Sequence, residues 1–231
     1  MFYFDPMYLV FALPAMLLAL YAQWRVRSTY GKYSKVANAH NLTGAEVARR
    51  LLDVAGLHNV PVERVPGDLT DHYDPGARVV RLSDSNYASY SVAALGVTAH
   101  EVGHAIQHAT AYGAMRLRTA FVPVVGLGSN LGIVLFFIGF AISSFQLATL
   151  GLILFSAYAV FAAITLPVEF NASSRAMGLL TEYGLVSQED AGMAKKVLDA
   201  AALTYVAGLA QALSQVLYYV FLLSGMRRSD D

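Results

Sequence analysis

The chain has 231 residues, with 16 Lys and Arg balanced by 16 Asp and Glu, 56% hydrophobic residues, only 14% charged ones and no cysteine. So apolar a composition, with a mean hydropathy of +0.48, excludes an ordinary soluble domain and makes a membrane protein the first expectation. Balanced charge gives no pointer to nucleic acid or to an acidic partner, and the lack of cysteine excludes disulfides and thiolate chemistry without fixing the redox compartment.

Four apolar runs approach bilayer length, about 20 residues each as helices, and polar stretches separate them. The first, Met7 to Gln23, is followed rather than preceded by Arg25, Arg27, Lys32 and Lys35. A signal peptide carries its positive residues before the apolar core, so residues 1–24 read as an uncleaved transmembrane anchor with Trp24 at the interface.

Residues 25–118 have the grammar of a small α+β unit. Thr43 with Glu46 three residues later makes a capping box, and Gly56 closes a helix whose apolar positions are Val47, Leu51, Leu52 and Val54. Two strand-like pieces follow, VPVERV at 60–65 and ARVVRLS at 77–83; between them DLTDHYDPG reads as turn chemistry. After Ser91 the period becomes helical, with Val92, Leu95, Val102, Ile106 and Ala109 marking one face.

That helix carries HEVGH. His100 and His104 stand one turn apart, their Cβ atoms about 5–6 Å from each other, as two ligands of one zinc ion require. Glu101 sits about 100° around the helix, off the ligand ridge but able to hydrogen-bond a water on the metal and act as its base. Gly103 costs about 1 kcal/mol in a helix interior relative to Ala, which implies a close neighbour there. His108 pairs with His104 at the same spacing, but the position matching Glu101 would be Ala105, which offers no base. His108 therefore stands as a candidate supporting residue behind the ligands, most simply as an interfacial histidine.

The second and third runs, Phe121 to Ser143 and Leu147 to Leu166, hold no ionisable residue and read as a transmembrane hairpin over 119–166. Gly128 and Gly132 form a GxxxG spacing, for which coincidence in so apolar a run is the expected explanation. A catalytic zinc site needs a third protein ligand, and no histidine follows His108. The downstream carboxylates are Glu169, Glu182, Glu189, Asp190 and Asp199, of which Glu169 is best placed. Two spans after His104 return it to the same membrane face, and Pro167 suits the first turn of a new helix over 167–200. Residues 201–231 hold the fourth run, Ala201 to Leu223, and a tail.

Lysines and arginines cluster after the first and third runs, which predicts that those stretches are cytoplasmic. Arg227 and Arg228 run against that rule if the fourth run crosses.

Taken together, HEVGH, a hairpin and then EFNASSRA resemble the membrane-embedded gluzincins. More closely, LTDHYDP, RVVRLS and HEVGHAIQHA, in that order, are similar to the bacterial neutral zinc metallopeptidases of the YugP type, and the likeness runs from the first span to the last. The resemblance implies that His100 and His104 are zinc ligands, Glu101 the general base and Glu169 the third ligand. Ser173 departs from the wider gluzincin pattern, which has aspartate there; a serine accepts an imidazole N–H without raising ligand basicity as a carboxylate does.

The expectation is a mainly α polytopic membrane protein, with about four transmembrane helices and a small α+β zincin-like catalytic unit. It would be a zinc (Zn2+) metalloendopeptidase of the cell membrane, its site on the cytoplasmic side, acting on peptides or membrane proteins and on no nucleic acid. A substrate would lie beside the ARVVRLS strand, with His72, Tyr73, Tyr112, Arg175 and Tyr183 as candidate oxyanion donors by type. Two rivals remain: a site-2-type intramembrane protease with Asp199 as third ligand, and a non-enzymatic metal-binding scaffold or transporter, the latter disfavoured because the second and third runs carry no ionisable residue.

Overall fold

The computed structural model describes residues 5–229, with side chains through Met226. Arg227, Arg228, Asp230 and Asp231, whose charges bear on the orientation of the fourth run, lie outside the side chains so described. Four of its helices are long and apolar enough to cross a membrane: α1 (Pro6–Tyr33), α5 (Gly113–Ala141), α6 (Phe145–Glu182) and α7 (Gln188–Ser229). Between α1 and α5 come α2 (Gly44–Val54), β1 (Val62–Val65), β2 (His72–Asp74), β3 (Val79–Ser83), α3 (Asp84–Tyr87) and α4 (Val92–Ala109). The chain falls into two compact units, one of residues 1–22, 116–166 and 204–231, the other of 23–115 and 167–203.

In the first unit the helices meet through small residues and aromatic rings. A Cβ on Gly132 would fall 2.8 Å from Gly151 O, and one on Gly151 would fall 2.7 Å from Gly132 O, so the backbones of α5 and α6 touch there. Gly132 of the GxxxG spacing is thus a packing residue, whereas Gly128 has only an ordinary contact at 3.8 Å. Phe136 and Tyr219 stack at 4.6 Å, joining α5 to α7. Many outward-facing side chains are large and apolar, with Leu127 75% and Ile153 64% exposed, which suits a hydrocarbon surrounding rather than water.

The second unit is built on α4. The capping box forms as expected, with Thr43 N–H donating to Glu46 at 2.8 Å and Glu46 N–H to Thr43 Oγ1 at 3.2 Å. Val47, Leu51 and Leu52 of α2 pack with Val92, Leu95 and Val102 of α4 and with Val80 and Leu82 of β3 in one core. Val54, at the last position of α2, is instead exposed, and so is Ala109 at the end of α4. The sheet order is β1-β3-β2, with β1 parallel and β2 antiparallel to β3.

Three expectations are corrected. The DLTDHYDPG segment is not turn throughout, because His72–Asp74 form the edge strand β2. Its three polar residues show no alternation to betray it; side-chain bonds from the flanking aspartates secure it instead. The ARVVRLS strand cannot take a peptide along its edge, because β3 is the central strand and both its edges are filled. Pro167 does not open a helix: it lies inside α6, where it removes only the bond that its own nitrogen would have made. Glu169 is therefore a mid-helix residue, and no helix N-terminus accounts for it.

Candidate metal centre

The site lies wholly within the second unit and rests on the approach of α4 to α6. Gly103 makes that approach possible, since a Cβ there would stand 2.5 Å from the carbonyl oxygen of Ala172. The missing side chain brings one turn of α4 against one turn of α6, and Glu169 of α6 reaches both histidines. Its Oε2 lies 3.2 Å from His100 Nε2 and 3.4 Å from His104 Nε2. The two imidazole rings stand at 84° with centroids 4.7 Å apart. Ligand atoms from all three residues lie within 4.8 Å of one another, in a nearly closed pocket where Glu169 is 2% exposed and His104 8%.

This donor set fits zinc. Bonds of about 2.0–2.2 Å in a tetrahedral arrangement put neighbouring ligand atoms about 3.3 Å apart. The two observed separations, 3.2 and 3.4 Å, bracket that value. The electrostatics agree: burial disfavours a charged His104, yet the carboxylates of Glu169 and Glu101 outweigh it and raise its pKa above the ordinary histidine value. The two carboxylates thus favour positive charge at this place.

Each ligand histidine is oriented through its other nitrogen. His100 Nδ1 lies 3.0 Å from Ser173 Oγ, and His104 Nδ1 lies 3.0 Å from Gln107 Oε1. Gln107 is fully buried and donates onward from Nε2 to Val168 O at 2.8 Å and Asn171 Oδ1 at 3.0 Å. A glutamine suits this position because its amide accepts on one side and donates on the other. Both Nδ1 partners can accept an N–H, and with Nδ1 so engaged it is Nε2 of each ring that faces Glu169 and is placed to hold a metal.

Glu101 stands beside the cluster, 9% exposed, and its Oε2 accepts the backbone N–H of Tyr73 at 2.9 Å. His108 is no part of the cluster; its Nδ1 is hydrogen-bonded to Tyr73 Oη at 2.8 Å. The remaining candidates disperse. Asp199 pairs with Lys195 at 2.7 Å on the surface, Asp190 accepts the N–H of Ala39, His72 bonds Thr70 O, and Tyr183 is exposed. Arg175 lies over the Tyr112 ring at 5.8 Å and donates to Asn171. The geometry thus gathers Glu169 with the histidines and leaves Asp199 apart, contrary to the intramembrane rival. Gln107 escaped the sequence reading, although a polar residue three positions after His104 on a helix with so many buried positions is a readable signal.

Comparison with known proteins places the chain in a family. Residues 8–224 match the model of a family described as "putative neutral zinc metallopeptidase". The chain belongs to this family. It is also 48% identical over 216 residues to the "putative membrane protease YugP" of Bacillus subtilis (strain 168), an alignment covering 94% of this chain and 96% of that one. No solved structure shows a significant match.

Proposed function

We propose that the chain is a zinc-dependent membrane metalloendopeptidase. The observation that carries this reading is the convergence of His100 Nε2, His104 Nε2 and Glu169 Oε2 at separations suited to one ion, with Glu101 adjacent. His100, His104 and Glu169 would hold the zinc. When bound, zinc supplies the Lewis acidity that activates a water and polarises the scissile carbonyl. Glu101 takes the proton from the attacking water as its oxygen bonds to the carbonyl carbon. The same carboxyl then gives that proton to the amide nitrogen as the C–N bond breaks, so the products leave as a carboxylic acid, which keeps the water's second proton, and an amine. Ser173 and Gln107 keep the two imidazoles turned with Nε2 inward.

The site belongs on the cytoplasmic face, a reading supported by the lysines and arginines that flank the first and third apolar runs. Substrates are peptides or membrane proteins that reach that surface. The test is zinc content and peptide cleavage measured together on detergent-purified wild type, Glu101→Gln and Glu169→Ala. Wild type should hold about one zinc per chain; Glu101→Gln should keep the metal and lose cleavage, and Glu169→Ala should lose both. Cleavage undiminished in Glu101→Gln would overturn the mechanism and favour a metal-binding scaffold.

A further inference from the structure

The LTDHYDP segment has no task in the mechanism above, yet it reaches the site. Its middle, β2, is three residues long and pairs with β3 as His72↔Arg81, Tyr73↔Val80 and Asp74↔Val79. The N–H of Val80 points away from β2, to Pro61 O at 3.0 Å. Hydrogen-bonded and non-bonded pairs alternate along an antiparallel ladder, so Tyr73 opposite Val80 turns its own N–H to the open edge of the sheet. That N–H is the one Glu101 receives.

Both aspartates of the segment are spent on fixing this strand. Asp71 accepts from Ser83 N, Ser83 Oγ and Asn86 Nδ2 at 2.9, 2.7 and 2.7 Å. Asp74 accepts from Gly76 N, Ala77 N and an Arg81 guanidinium nitrogen at 2.9, 3.0 and 2.7 Å. Between them Tyr73 alone binds α4, and it does so at two points, Glu101 through its backbone and His108 through its phenol. Those residues stand seven apart, about 10.5 Å along the helix.

We infer that Tyr73 is the positioning residue of the general base: its backbone N–H holds Glu101 Oε2, and its hydroxyl, anchored on His108, holds the strand that aims that N–H. The inference rests on the peptidase reading. A glutamate side chain rotates about three bonds, whereas a strand N–H is fixed by the chain around it. Holding one oxygen leaves Glu101 Oε1, without a hydrogen bond among the described residues, directed at a single place to exchange a proton. His108, which ligand spacing alone would make a spare imidazole, is the counter-anchor of this device.

The experiment measures zinc content, kcat and KM for wild type, Glu101→Gln and a set of variants at the clamp. Tyr73→Phe and His108→Ala keep zinc at the wild-type level and lower kcat about tenfold with KM little changed, the pattern of a misplaced base. The double variant is no worse than either single one, because both break one bond. His108→Gln, whose amide can still bond the phenol, recovers activity. Tyr73→Pro, at an edge position whose N–H faces away from the ladder, loses a further factor of about ten relative to Tyr73→Ala, which keeps the N–H. Equal kcat in Tyr73→Pro and Tyr73→Ala, or undiminished kcat in Tyr73→Phe and His108→Ala, overturns the inference while the peptidase reading stands. Cleavage by Glu101→Gln equal to wild type overturns both.

Discussion

Gly103→Ala is the smallest change that should disable the metal centre without touching a ligand. The added Cβ would stand 2.5 Å from Ala172 O, 3.1 Å from its carbonyl carbon and 3.2 Å from its Cα. A comfortable carbon-to-carbonyl contact is about 3.3 Å, so α4 and α6 must part by about 0.8 Å. Backbone atoms cannot swing aside as a side chain does. His100 Nε2 and His104 Nε2 now lie 3.2 and 3.4 Å from Glu169 Oε2; parted by that amount, they exceed the about 3.3 Å that neighbouring ligands of one zinc ion need. Overpacking costs about 1–3 kcal/mol, of which better helix propensity returns about 1 kcal/mol. The fold should therefore survive while zinc affinity falls at least about tenfold. The assay is competition with a chromophoric chelator on detergent-purified protein, beside a thermal melt of the zinc-free form. Gly178→Ala, on the facing helix α6 with nothing within 4 Å of its added Cβ, serves as the control and should bind zinc as wild type does. Wild-type zinc affinity in Gly103→Ala would refute the argument that helix proximity sets the ligand geometry.

Two further substitutions examine what lies behind the histidines. Gln107→Leu strips His104 Nδ1, Val168 O and Asn171 of a buried partner; it should cost about 1–3 kcal/mol in the thermal or denaturant stability of the metal-free protein and raise the zinc dissociation constant about 10–100-fold. Ser173→Asp places a carboxylate where His100 Nδ1 now meets a hydroxyl, so chelator competition should show zinc held about tenfold tighter.

The parts of this protein governed by local pattern are open to a reader of the sequence, and the parts governed by distant neighbours are not. Hydropathy over about 20 residues marks α1, α5, α6 and α7 because the bilayer acts on composition alone. HEVGH and the Thr43–Glu46 box are legible because their partners lie within one helical turn. Strand β2 is not: its stability comes from Asp71 and Asp74 bonding residues up to 15 positions away, with no alternation in His72–Asp74 themselves. The continuity of α6 through Pro167 is equally hidden, since a proline at the end of an apolar run is the ordinary sign of a new helix. Gly103 shows the intermediate case. Its cost in a helix announces a close neighbour, but only the fold names Ala172.

The ligands of the metal centre are separated by 69 residues, and two helices long and apolar enough to cross a membrane, α5 and α6, begin within that interval. A ribosome making this chain will have released HEVGH long before Glu169, and Ser173 follows later still. Until the hairpin is made, the nascent polypeptide holds His100 and His104 without the third proposed ligand, Glu169. On the peptidase reading, the full set of proposed ligands is therefore present only after the hairpin has been synthesised. On that reading, a chain stalled or cut short before Glu169 would lack its third proposed ligand.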